Sequence, residues 1–468
     1  MLVCLPTTFF CDIIYNMSDL KIRKRMSPSL QILLGFMGII LIGTFLLSLP
    51  ISNNDGQWLN FVDAFFTSTS AVCVTGLVVV DTVVQFTLFG QFVILFMIQI
   101  GGLGIVAITS FIFLILRKKI NFSNRIALKE SLNRDTIQGV VKFIKKVIIL
   151  TFVIEGVGAI CLLYSTITYF DSFWKGLFSA IFMSISSFCN AGFDVFGTEA
   201  TQFMSLSPFA SNVLMQLPIM MLIIIGGIGF VVLIDGLKNF RSNQHVRVVI
   251  YVTLSLIFGG ALLFMIAEWN NPLTLGGMNT GEKILNSFFQ SVTTRTAGAT
   301  TIDQGGLSSM GAIITIMLMF VGGSPTSTAG GIKTTTLFVL LLLIFKFHNQ
   351  NGHIVYKDRK ISANIINKAI KIVLYSIFVL IIAILLISMI EGKSFDFVEI
   401  SFECVSAIST VGLTMGITPY LTYASKIIIS LLMFVGRVGM TTIIVALSTR
   451  NNNIGDQIEY INTDIIVG

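Results

Sequence analysis

The chain has 468 residues, of which 54% are hydrophobic and only 11% charged, with a net charge of +7. A soluble domain carries about 25% charged residues, so a water-soluble globule, a disordered chain and a coiled coil are all excluded. What remains is an all-α polytopic membrane protein, in which the bases report orientation rather than an affinity for nucleic acid.

Residues 1–26 read as a cytoplasmic amino-terminal segment. Met1–Met17 has neither the basic start nor the cleavage site of a signal peptide, so residues 1–16 are read as a mis-assigned start. The first unit, 27–117, holds an uncharged run, Pro28–Asn54, long enough to cross about 30 Å of hydrocarbon. Phe61–Thr75 is too short to cross, and Phe89–Leu116 crosses again. The second unit, 140–236, repeats this with Val147–Phe170 (which contains Glu155), Phe173–Phe188 and Val213–Ile234. The third, 246–346, has Val248–Ala267, Ile284–Thr294 and Gly311–Phe345; the fourth, 362–449, has Ile372–Ile390, Phe397–Ile408 and Ile427–Thr449. Residues 450–468 form a tail. The reading is eight spans with four re-entrant half-helices. Most bases cluster in the amino-terminal segment, Arg117–Lys146, Lys238–Arg247 and Lys346–Lys371, which places both termini in the cytoplasm and admits the half-helices from outside.

The half-helices end in a repeated motif. Phe66, Phe182, Phe288 and Phe402 each lie ten residues before a glycine: Gly76, Gly192, Gly298 and Gly412. A second glycine landmark follows in each unit: Gly101-Gly102, Gly226-Gly227, Gly322-Gly323 and Gly436-Arg437. A half-helix entering from outside points its partly negative carboxyl end at the membrane centre. Four such ends, each followed by a short loop, surround one axis with carbonyl oxygens that replace the hydration shell of a cation. The predicted filter is Val74, Thr75 and Gly76; Asn190, Ala191 and Gly192; Thr296, Ala297 and Gly298; Thr410, Val411 and Gly412. The glycines are required where aimed carbonyls force backbone angles that a Cβ disfavours.

The third unit carries a second device. Gly311–Phe345 would be about 52 Å of continuous helix, too long for the bilayer core. Its middle is Gly322, Gly323, Ser324, Pro325, Thr326, Ser327, Thr328, Ala329, Gly330, Gly331, then Ile332 and Lys333. Residues of this kind predict helix, loop, helix, with the loop facing the permeation path as a gate; the bland alternative is a kink at Pro325. A phosphate-binding loop is excluded, because Ile332 separates glycine from lysine and no strand precedes. Arg437, deep in an uncharged span, is read as a latch on the loop's carbonyls, against a structural pairing with Glu155. Lys333 caps carbonyls or snorkels. Arg295, three residues before Gly298, is expected to brace the filter from behind through Glu403 or Asp303. Cys73 and Cys189 are read as packing residues. All three histidines (His245, His348, His353) fall in cytoplasmic loops, so no metal site, cofactor or enzyme chemistry is expected.

The motifs VTGL, NAGF, TAGA and TVGL, with GGSPTSTAGGIKTTT in the third unit, resemble the Trk/Ktr/HKT superfamily of potassium transporters, and within it the KtrB membrane subunits of bacterial Ktr systems. The resemblance runs from about Lys21 to Gly468. It implies potassium uptake across the bacterial plasma membrane, commonly sodium-dependent, by a homodimer with one pore per subunit. It also implies a cytoplasmic nucleotide-binding ring, KtrA, as partner, besides membrane lipid, and the intramembrane loop as gate. The alternative is a less selective sodium- and potassium-permeable relative. Glycine in all four filters, where some plant relatives have one serine, favours potassium. One departure is Ala299-Thr300, where relatives usually carry an aromatic residue and asparagine.

Overall fold

The computed structural model describes residues 28–104, 139–236, 243–345, 354–357, 359–439 and 442–443. The expectations placed on Met1–Met17, most of Arg117–Lys146, His348, His353 and the tail lie outside these residues.

Each unit is built as helix, half-helix, extended loop, helix. In chain order the first comprises α1 (Pro28–Ser48), α2 (Phe61–Cys73) and α3 (Leu88–Leu103). The second has α4 (Val140–Phe170), α5 (Phe173–Cys189) and α6 (Val213–Ile228). The third has α7 (Gln244–Glu268), α8 (Thr280–Thr293), α9 (Ser309–Phe320) and α10 (Thr334–Phe345). The fourth has α11 (Ala363–Glu391), α12 (Phe397–Ser409) and α13 (Tyr423–Val438). A two-residue antiparallel pair, β1 (Val355–Tyr356) and β2 (Arg359–Lys360), joins the last two units. The first helix of every unit, α1, α4, α7 and α11, is long and apolar enough to cross a membrane by itself.

The half-helices occupy the centre and the first helices the rim. Phe66, Phe182, Phe289 and Phe402 are completely buried, whereas Phe45, Ile160, Leu262 and Met389 lie exposed on the outer helices. An apolar belt of that extent suits a lipid surface. Polar caps hold the outer ends of the half-helices. Asn279 with Glu282, and Asp396 with Glu399, form reciprocal capping boxes on α8 and α12. The α8 box starts that helix four residues ahead of the apolar run at Ile284. Asp63, in the first turn of α2, is paired with Lys426 of α13 at 2.8 Å.

Two buried acids staple helices within units. Glu268, at the end of α7, accepts from the Ser308 amide (3.0 Å) and hydroxyl (2.5 Å) at the start of α9. Glu391, at the end of α11, accepts from the Thr422 amide (3.0 Å) and hydroxyl (2.8 Å) at the start of α13. The same device in consecutive units shows their common plan.

One expectation is corrected. The sequence predicts a break only in the third unit, but the second helix stops at the glycine landmark in all four, just before it in α9 and just past it in the other three. α3, α6 and α13 end at Gly104, Gly229 and Gly439, with φ of 84°, 101° and 88°. With ψ of 136–140°, only glycine adopts this conformation readily. The uncharged runs through these points gave no sign of the breaks, because hydropathy does not register backbone sign.

Candidate functional site

The end of each half-helix turns by the same means. Val74, Asn190, Thr296 and Thr410, each two residues before its glycine, are left-handed, with φ between 52° and 68°. In three units the next amide closes back onto the helix: Thr75 to the Ser70 carbonyl (2.9 Å), Ala191 to Ser186 (2.8 Å) and Val411 to Ser406 (2.8 Å). The Ser70 and Ser406 hydroxyls then accept from the Gly76 and Gly412 amides at 3.1 and 3.0 Å. The donors are thus turned away from the axis. Among the described residues no donor reaches the carbonyl oxygen of any of the predicted filter residues. Carbonyls at membrane depth without a protein donor need water or a cation.

The four glycines close a ring. A Cβ on Gly76 would stand 2.5 Å from the Ala191 carbonyl oxygen, on Gly192 2.9 Å from that of Ala297, and on Gly298 2.6 Å from that of Val411. On Gly412 it would meet the Thr75 carbonyl closer still. The units therefore follow one another around the axis in chain order, and each glycine makes room for its neighbour's carbonyl.

The third unit departs from the other three by one residue. Phe289, not Phe288, takes the fully buried place. Its Ala297 amide returns to the Thr293 carbonyl (2.9 Å), four residues back rather than five. The Thr293 hydroxyl donates to the Ala299 carbonyl (2.6 Å), as the Ser186 hydroxyl does to that of Phe193 (2.6 Å). The tighter turn directs Arg295 behind the filter, but not to a carboxylate as expected. Its Nη2 donates to the Gly322 carbonyl at 3.2 Å. Glu403 is instead engaged by the Thr414 and Thr418 hydroxyls, and Asp303 by the Gly305 amide.

Beneath the filters the chain between α9 and α10 leaves the helix from Val321 to Lys333, which is more than a kink at Pro325. Gly322 and Thr334 amides bind the Ile332 and Gly323 carbonyls at 2.9 and 3.1 Å, closing a neck. The tip rests on the broken end of α6: Ser324 N–H donates to Gly227 (2.9 Å), Thr328 N–H to Gly226 (3.3 Å), and Phe230 N–H to Thr326 (3.0 Å). Lys333 Nζ caps the Ala329 carbonyl at 2.7 Å. Arg437 donates to the Thr328 carbonyl of the loop, to Gly101, and to Gly102 at 3.2 Å. Three segments from the first, third and fourth units thereby meet at one guanidinium.

Glu155 lies elsewhere, accepting from Gln99 Nε2 at 3.2 Å with the Cys189 thiol 3.9 Å away. It does not pair with Arg437. Cys73 and Cys189 are buried free thiols. Beyond the second predicted filter, half-buried Asp194 follows Gly192 by two residues. Burial, reinforced by the charge of Asp81, pushes its pKa up to about 6. The motif reading passed over Asp194, Gln99 and the bonds of Asn190; a lone polar residue beside each landmark was the available signal.

Comparison with known proteins gives consistent matches. The family model for TrkH, described as a cation transport protein, matches residues 16–245 and 240–454. The potassium/sodium uptake protein NtpJ of Enterococcus hirae is 40% identical over 96% of this chain and 99% of its own length. The Ktr system potassium uptake protein B of Bacillus subtilis is 39% identical over 92% and 95%. In fold, the crystal structure of the potassium transporter TrkH from Vibrio parahaemolyticus matches with a TM-score of 0.67 at 18% identity, over 92% of this chain and 86% of that one.

Proposed function

Because this chain belongs to the TrkH family of cation transport proteins, we propose that it is the potassium-translocating membrane subunit of a Ktr-type uptake system. It works as a gated, channel-like pore rather than as an enzyme, and its uptake depends on sodium. The observation that carries this reading is the ring of Gly76, Gly192, Gly298 and Gly412, whose neighbouring carbonyls accept no protein hydrogen bond among the described residues. Such a ring suits a dehydrated monovalent cation. Single glycines in each filter give fewer carbonyl layers than the filters of potassium channels, and so a weaker discrimination against sodium. The subunit pairs as a homodimer in the bacterial plasma membrane with both termini inside, and a cytoplasmic KtrA-like nucleotide-binding ring regulates it.

The loop Gly322–Lys333 is the gate in this reading. It lies across the conduction path directly below the filters, held by Arg437 and Lys333. Deleting Pro325–Ala329 removes the barrier and leaves the filters, so tracer flux in liposomes, normalised to inserted protein, rises; a well-folded deletion with lower flux overturns the gate.

Rescue of a potassium-uptake-deficient bacterium at low potassium, with and without sodium and the ring protein, tests the whole assignment. A second reading, a pore that admits sodium and potassium alike, is favoured by the name of the Enterococcus relative. Competition of the two ions for rubidium tracer separates them.

A further inference from the structure

Asn190 differs from the three residues at its position. The Val74 side chain has no polar atom, and among the described residues the hydroxyls of Thr296 and Thr410 have no hydrogen-bond partner. The Asn190 side chain, fully buried, is bonded at both ends. Its Oδ1 accepts from the Thr328 hydroxyl at the tip of the loop at 3.1 Å, a hydroxyl that also lies 3.1 Å from the Phe188 carbonyl. Its Nδ2 donates to the Arg295 carbonyl at the entry of the third filter at 3.1 Å. Arg295 in turn donates through Nη2 to Gly322 at the neck of the same loop, 3.2 Å away. The circuit runs from loop tip to second filter, to third filter, to loop neck. Gly226 leaves the room for it: a Cβ there would stand 2.8 Å from Asn190 Oδ1 and 3.0 Å from Thr328 Oγ1.

We propose that Asn190 is a positioning residue that couples the loop to the filter, so that the loop's position and the filter's preference among cations change together. The inference rests on the loop being the gate. An amide carries an acceptor and donors on one rigid plane, so it senses the loop and holds the filter at once. When Thr328 lifts away, Oδ1 loses its partner in a dry site, and the amide is free to rotate off the Arg295 carbonyl. The third filter then loses a buried restraint that the other three do not have. Selectivity becomes a property of the closed or partly closed loop, not of the filter alone.

The test compares Asn190→Ala, Thr328→Val, Thr328→Ser, the Asn190→Ala/Thr328→Val double variant and the Pro325–Ala329 deletion, all reconstituted and normalised to inserted protein. Rubidium flux and potassium-over-sodium competition are read for each. Asn190→Ala and Thr328→Val should each raise flux roughly three- to tenfold, the range for losing one buried hydrogen bond from a closed state. Thr328→Ser, which restores the hydroxyl, should bring flux back below that of Thr328→Val. The double variant should rise no further than the higher single, and Asn190→Ala should add no flux to the deletion. Potassium preference should fall in Asn190→Ala, further than in Thr328→Val. If the deletion leaves flux unchanged, the gate reading has failed. If the deletion raises flux while Asn190→Ala and Thr328→Val match the parent in flux and preference, or if their effects add in full, the gate stands and the coupling is overturned.

Discussion

Single residues set the proposed filter through backbone sign. Gly76 and Gly412 hold φ of 95° and 91° while each faces the carbonyl of the next or preceding unit. Replacing either with serine imposes both a left-handed penalty of about 1–2 kcal/mol and a clash with a carbonyl that the filter needs. Potassium competition against sodium should therefore weaken by about tenfold in Gly76→Ser and Gly412→Ser; unaltered potassium kinetics in both variants would remove these glycines from the filter. Asp194 acts at longer range. Its pKa is raised from 3.8 to about 6, so the folded protein holds this proton more tightly than the unfolded chain does. The contribution to stability is therefore greatest below about pH 4 and is lost as pH rises to about 6, over the interval in which the mouth gains a negative charge. Acidifying the outside through pH 6 should raise the half-saturating potassium concentration about twofold. Asp194→Asn should make that concentration independent of pH over the same range, measured as initial uptake rates.

Among the elements, the broken end of α6 decides where the proposed gate loop rests. The tip of the loop bonds to Gly226 and Gly227, and Pro325 lies against Gly229. A Cβ on Gly229 would stand 2.5 Å from the Pro325 carbonyl oxygen, whereas among the described residues nothing lies within 4 Å of one on Gly439. Both substitutions strain a positive φ, by about 1–2 kcal/mol, but only Gly229→Ala also pushes the loop from its seat. Gly229→Ala should raise flux as well as lowering the unfolding temperature, and Gly439→Ala should lower the temperature alone; equal flux in the two would disconnect the break in α6 from the gate. These elements also show what the residues disclosed in advance. The half-helices were legible because a short apolar run closed by small residues and a glycine recurs four times. The non-helical stretch at Gly322–Lys333 was legible because glycines, proline and hydroxyls crowd one segment. Gly104, Gly229 and Gly439 were not, since a lone glycine in an apolar run is as compatible with a continuous helix. The partner of Arg295 was misread for a different reason: charge suggests a carboxylate, yet in a buried filter the nearest acceptor is a backbone carbonyl.

At the scale of the whole molecule, the distribution of bases along the sequence bears on where a partner docks. Arg117–Lys146 carries nine bases and Lys346–Lys371 six, the two densest basic stretches between units and, on the positive-inside reading, the ones assigned to the cytoplasm. Reversing the charge in both segments should abolish co-purification with a KtrA-like ring while leaving the pore able to conduct; retained assembly would move the docking surface to the tail. The ring of glycines has a further consequence through the third unit. There the half-helix closes four residues back, its buried phenylalanine is displaced by one position, and the residue freed by the shift, Arg295, reaches the neck of the loop. The four quarters of the pore are thus no longer interchangeable parts. Grafting the half-helix and filter of the first unit into the third would supply a quarter one residue too long and without a guanidinium. A chain assembled from four copies of its most regular quarter would close a more symmetric aperture and lose the fastening of its intramembrane loop. What separates this protein from a fourfold assembly of identical subunits is that one quarter departs from the shared pattern and ties itself to the loop beneath it.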